Sequence, residues 1–146
     1  MKVLDTVEMI LREKHGEVWS ISPDATVYEA LQIMSDKEIG ALPVMERGHL
    51  LGILSERDYA RKIILKNRSS RDTKVREIMN APAITVTPAC TADEAMQVMT
   101  ERRIRHLPVV NSQAVLVGIV SIGDLVKWIM TSHEKTIEQL QSYISG

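Results

Sequence analysis

Apolar residues recur along this chain at two spacings, one helical and one extended, and the two alternate in a regular order. Val3, Leu4, Val7, Ile10 and Leu11 have helical spacing, so residues 3–13 read as an amphipathic helix that His15-Gly16 ends. Val18-Trp19-Ser20-Ile21 reads as a short strand and Ser22-Pro23-Asp24 as a turn. Thr26-x-x-Glu29 is a capping box ahead of Ala30, Leu31, Ile33 and Met34, which predicts a helix to about Lys37. Two strands follow, Leu42 to Met45 and Leu50 to Leu54, with Glu46-Arg47-Gly48-His49 as the hairpin turn between them. A helix from about Glu56 to Lys66 completes a β-α-β-β-α unit.

A polar stretch from Asn67 to Asp72 reads as the start of a linker reaching to about residue 77. The order of elements then returns. Ile84 to Val86 is a strand, and Thr91-x-x-Glu94 caps a helix to about Arg102. Leu107 to Val110 and Val115 to Val120 are strands, and a helix runs from Ile122 to about Met130. A separate tail helix is expected from His133 onward, with Ile137, Leu140 and Ile144 on one face. The second unit also repeats the residues of the first. Pro23, Thr26, Glu29, Ala30, Met34, Ile39, Leu42, Pro43 and Val44 recur 65 positions on; Gly52, Ile53, Ser55 and Asp58 recur 66 positions on. A period this long is a duplicated subdomain, not a solenoid repeat. The expected fold is α+β: two β-α-β-β-α halves related by a pseudo-two-fold axis, with flanking terminal helices. Repeat 1 covers about 14–66, the linker about 67–77, repeat 2 about 78–131 and the C-terminal helix about 133–146 of one module.

Composition narrows the function classes. A chain of 146 residues can form one domain that buries roughly 68–70% of its unfolded surface. With no Phe and eight Met, its core must be aliphatic. A net charge of −1 argues against a general nucleic-acid or membrane-surface binder. Single Cys90 cannot close an internal disulfide, and no window of 18 apolar residues offers a membrane span, so a cytoplasmic protein is expected. Asp5 and Glu8 interrupt any apolar leader at the start. Neither a P-loop, a Gly-rich dinucleotide loop, a nucleophile elbow nor metal-ligand spacing of the histidines is present, so no catalytic cofactor and no metal are expected.

The polar residues that repeat are Ser55 with Asp58 and Ser121 with Asp124. Each Ser stands where a strand hands over to a helix, at the end that favours phosphate through free N–H groups and the helix dipole. Each Asp lies one helical turn on, where a carboxylate can accept from both hydroxyls of a ribose. The same spacing also makes a helix cap, and both roles are compatible. A base carried on such a ribose would need an apolar slot; Val18-Trp19, Ala83-Ile84, Ile39-Gly40 and Ile104 are the candidates for its walls.

These motifs, G-I-x-S-x-x-D opening a helix after I-x-x-L-P-V, both occurring twice, resemble the cystathionine-β-synthase (CBS) domain pair, or Bateman module. The resemblance covers nearly the whole chain and is to the stand-alone bacterial type. It implies a regulatory module, not an enzyme, binding an adenine nucleotide or related ligand (AMP, ADP, ATP, NAD or S-adenosylmethionine). It further implies clefts that combine the Ser/Asp pair of one repeat with the first strand of the other, a homodimer, and signalling to an effector protein. Arg105 and His106 then occupy positions of phosphate contacts in the family. Repeat 1 has Gly40-Ala41 at the corresponding place and carries Arg57 beside its Asp, where repeat 2 has Gly123, so the clefts should be unequal; less basic charge is expected near the phosphates of the Asp58 cleft, while the spacing leaves open which repeat's basic residues serve which cleft. Lys14 and His15 fall near the expected rim. The basic run over residues 57–76 reads as a solvated helix face and linker, with a phosphate approach or a surface for an acidic partner as the alternatives, and Cys90 as an inert small residue. The alternative reading is a protein-interaction module with structural, ligand-free clefts; nucleotide hydrolysis and nucleic-acid binding rank below it.

Overall fold

The computed structural model describes residues 4–14 and 16–145, so Val3 and His15 lie outside the described residues. The elements run α1 Val7–Glu13, α2 Val27–Lys37, β1 Ala41–Glu46, β2 His49–Ser55, α3 Glu56–Tyr59, α4 Val75–Ile78, α5 Ala92–Arg102, β3 His106–Val110, β4 Leu116–Ser121 and α6 Ile122–Ser145. The fold is α+β and duplicated, with an antiparallel hairpin in each half. Arg47 and Gly48 both have positive φ, 52° and 79°, the backbone that a two-residue hairpin loop demands. A register shift follows Val44 in β1 and Val109 in β3, so the duplication extends to the bulges.

Four expectations about individual helices and strands need correction. The helix expected over 3–13 begins at Val7, because Thr6 caps it by accepting from Met9 N. The strands expected at 18–21 and 84–86 are extended segments that touch the hairpins at single parallel bridges, Ile21 to Val44 and Val86 to Val109. Pro43 and Pro108 offer carbonyls only, and Pro23 and Pro88 turn the chain away two residues later, so pairing cannot propagate. The helix expected over 56–66 is α-helical only to Tyr59 and continues as a π-helical turn over Ala60–Ile64. The two helices expected after Ile122 are one 24-residue helix. No Gly or Pro interrupts it near Thr131, whose hydroxyl donates back to Lys127 O.

The segment between the repeats is not a solvated linker. Thr73 is 2% exposed, and α4 delivers Val75 and Ile78 to the core of the first repeat. Val27 N donates to Thr73 O and Val75 N to Ala25 O, both at 2.9 Å. The chain start makes the same arrangement on the second repeat. Ala92 N donates to Asp5 O at 2.8 Å, Val7 N to Cys90 O at 2.7 Å, and Val7 and Ile10 join the core of that repeat. Each half is thus completed by the arm that precedes the other half. Trp128 of α6 locks the first arm by donating to Asp5 at 2.8 Å.

Candidate functional site

Two clefts lie between the repeats, on either side of the contact between Gly40 and His106, which line both. The two come so close that a Cβ on Gly40 would stand 3.3 Å from the imidazole. The Asp124 cleft, about 420 Å³, joins Ser121 and Asp124 of repeat 2 to Val18, Trp19, Ile39 and Ala41 of repeat 1. The Asp58 cleft, about 470 Å³, joins Ser55, Arg57 and Asp58 of repeat 1 to Ala83, Ile84, Ile104 and Arg105 of repeat 2. Every candidate site residue lines one of these clefts, and the crossed arrangement implied by the family resemblance is the one observed.

Each Ser/Asp pair closes on itself first. Asp58 Oδ2 accepts from Ser55 N at 2.8 Å and from Ser55 Oγ at 2.9 Å, while Ser55 Oγ accepts from Asp58 N. Ser121 and Asp124 repeat the backbone half of this exchange, at 2.8 and 3.1 Å. The capping role is therefore realised in both repeats. The remaining valences of the carboxylates differ. Asp58 is 7% exposed and receives both oxygens' share of the Asn80 amide, at 2.9 and 3.0 Å, with Lys62 Nζ at 3.5 Å. Asp124 is held by Lys14, whose Nζ donates to it at 2.7 Å and to Ile119 O at 3.0 Å. Lys14 thus stands at the expected rim, on α1's C-cap.

The sequence did not mark out Asn80, Arg102, Arg103 or Lys37, yet all line a cleft. Asn80 is placed by a two-way backbone exchange with Ile53, for which Gly52 leaves the room: a Cβ there would collide with Asn80 O. A usable signal existed. Val7-x-x-Ile10-Leu11 recurs as Val75-x-x-Ile78-Met79, 68 positions on, and marks the arm that carries Lys14 in one copy and Asn80 in the other.

The charge expectation reverses. The Asp58 cleft is the basic one: six Arg and Lys side chains, from Arg57 to Arg105, face two acids, Glu56 and Asp58. The Asp124 cleft has Lys14 and Lys37 against Glu17, Glu38 and Asp124. The crossing of the repeats explains it, because the basic loop of repeat 2 serves the carboxylate of repeat 1. The basic run at 57–76 divides as well: Arg57, Arg61 and Lys62 turn into the cleft, and Arg76 pairs with Asp24 and Glu46.

Burial lowers the His106 pKa from its ordinary value, and nearby Lys14 and Arg105 push the same way against Asp124. The proton that His106 would lend to a phosphate therefore comes only at lower pH than an ordinary histidine's. Burial raises the Asp124 carboxyl, but the bonds from Lys14 and Ser121 together outweigh it and hold the group below its usual range. Burial, then Glu94, raises the Cys90 thiol. Among the described residues no group of His, Cys, Asp or Glu has the makings of a metal site, and no helix is long and apolar enough to cross a membrane.

Comparison with known proteins agrees with this architecture. The CBS domain profile matches residues 6–65 and 75–131, and the chain belongs to the CBS domain family. It is 44% identical over 134 residues to the mitochondrial CBS domain-containing protein CBSX3 of Arabidopsis thaliana, covering 88% of this chain and 64% of that protein. A CBS-domain protein from Burkholderia ambifaria superposes with a TM-score of 0.83 at 44% identity, over 86% of this chain and 94% of that one. The CBS domain pair of MJ0100, solved with 5′-methylthioadenosine and S-adenosyl-L-methionine, superposes with a TM-score of 0.78 at 24% identity, over 88% and 98%. At that identity the likeness is one of fold. The chain is a CBS-pair regulatory module.

Proposed function

We propose that both clefts bind adenosine-containing ligands, and that occupancy is signalled to an effector protein. One observation carries the reading. In each repeat a Ser/Asp pair at a helix start faces, across a cleft of 420–470 Å³, an apolar extended segment of the opposite repeat. That pairs a ribose acceptor and a phosphate-favouring helix end with an apolar wall, the three needs of a nucleotide. The MJ0100 pair, which holds two adenosine derivatives on the same fold, supports it. AMP, ADP, ATP, NAD and S-adenosylmethionine all share the recognised part. The test is native mass spectrometry of the purified chain, then thermal shift against each of these compounds. Stabilisation by at least one of them is expected, and none by guanosine counterparts at equal concentration.

A second reading has its own support. Asn80 and Lys14 already satisfy the two carboxylates, which is what a structural, ligand-free cleft would need. No thermal shift with any adenosine compound would favour it. The module role is regulatory in both readings, not catalytic, and a cytoplasmic setting fits either. A homodimer also belongs to the proposal. Leu4, Ile137, Leu140 and Ile144 are 53–83% exposed, an apolar surface that a second copy would cover.

A further inference from the structure

The two clefts share their Ser/Asp pairs and differ in charge by the way the duplication diverged. The loop after α2, Lys37-Glu38-Ile39-Gly40-Ala41, lines the Asp124 cleft; its counterpart after α5, Arg102-Arg103-Ile104-Arg105-His106, lines the Asp58 cleft. Glu38 and Arg103 occupy one position of the repeat, both with left-handed backbone, at φ 54° and 55°. The fold therefore aims a carboxylate at one cleft where it aims a guanidinium at the other.

The cations of the Asp124 cleft are already engaged. Lys14 is on Asp124 at 2.7 Å, and Lys37 lies over the Trp19 ring, 4.2 Å from its centre. In the Asp58 cleft, Arg61, Arg102, Arg103 and Arg105 hold no ion pair among the described residues. Four guanidinium groups without an ion-pair partner, in a cleft where six cations face only Glu56 and Asp58, give a field that a polyanion would neutralise, and guanidinium takes phosphate in two-point contacts. Glu17 and Glu38 would repel the same polyanion from the other cleft, and discrimination by repulsion needs no new contact.

Resting on the adenosine reading of both clefts, we propose that the clefts divide adenosine ligands by charge. The Asp58 cleft takes a nucleoside di- or triphosphate. The Asp124 cleft takes an uncharged or cationic adenosine derivative.

The experiment is calorimetry on the full chain with ATP, adenosine and inorganic tripolyphosphate. The first variant combines Arg103→Glu with Arg105→Gly, which are the residues that repeat 1 itself carries at these positions, so the backbone accepts them. ATP affinity is expected to fall about 100-fold, about tenfold for each lost guanidinium, while adenosine affinity stays within about twofold. The second variant, Glu38→Arg, makes the reverse change, and it is expected to add an ATP site or tighten the weaker one. That gain cannot come from misfolding. Adenosine binding with no preference for ATP in the parent chain, or equal losses of both ligands in the first variant, overturns the division and leaves the adenosine reading standing. ATP and tripolyphosphate binding equally, with no adenosine binding, overturns the adenosine reading and the proposal with it.

Discussion

Lys14 Nζ lies 2.7 Å from Asp124 Oδ2, 110 positions apart in the chain. The contact joins the end of the first arm to the carboxylate that the second repeat presents to its cleft. Both the ion pair and a ribose would use the same oxygens.

Lys14→Met is therefore expected to raise the Asp124 pKa toward its ordinary value. The sign follows from linkage. A carboxyl whose folded pKa is lowered stabilises the protein above its unfolded pKa, about 3.9, and the gain is lost as pH falls through the folded value. Acid unfolding of the variant should begin at higher pH. The pair is partly exposed, so the loss at neutral pH should be small, within about 1 kcal/mol. Melting temperature measured from pH 3 to 7 checks both statements, and an unchanged acid limb would show that the pair does not set the Asp124 titration.

His106→Gln is expected to flatten a different part of the same curve. A histidine with lowered folded pKa leaves stability intact above about pH 6.5, its unfolded value, and takes it away as pH falls from there through the folded pKa. The groups facing it are Lys14, Arg105 and Asp124, and they remain in the variant. The offset between parent and variant melting curves should be constant above pH 7 and change below 6.5, with the variant less sensitive to pH. Parallel curves would mean that His106 titrates alike in the folded and unfolded chain.

The exchanged arms predict matched stability losses. Val7 and Val75 are both 0% exposed and hold equivalent places in opposite cores. Val→Ala at either should cost about 1–3 kcal/mol, with chemical denaturation remaining a single transition because each arm ties the two halves together. Urea unfolding followed by two probes tests this; a variant that unfolds in two steps would show that the arms do not couple the repeats.

The duplication made most of this site legible. Pro23 and Pro88, Ser55 and Ser121, Asp58 and Asp124 stand out because they recur, and a recurring polar residue is informative where a recurring Leu is not. The hairpins were equally plain from alternation and from Arg47-Gly48. What failed was whatever depends on the partner and not on the residue itself. Ile21 and Val86 have strand-forming neighbours, yet the N–H of each finds only the carbonyl of a proline, Pro43 or Pro108, at a single bridge. The π-helical turn at Ala60–Ile64 leaves no mark in the apolar spacing. Arg105 was visible as a cation beside Leu-Pro-Val, but the cleft that it serves depends on how the halves cross, so the expected order of basicity came out inverted. Asn80 was hidden for the same reason: it reaches Asp58 from 22 positions away through an arm that resembled a polar linker.

The most direct measurement is calorimetry with adenosine on the parent chain and on Asp58→Ala combined with Asp124→Ala, both shown folded by circular dichroism. Each lost charge-assisted contact to a ribose hydroxyl is expected to cost about 1.5–3 kcal/mol. Asp58→Ala carries a further stability loss, because it leaves the Asn80 amide without its carboxylate acceptor and removes the ion-pair partner of Lys62. The account predicts saturable adenosine binding in the parent chain and none in the folded double variant. Equal adenosine affinity in the two proteins would contradict it and leave the two aspartates as helix caps alone.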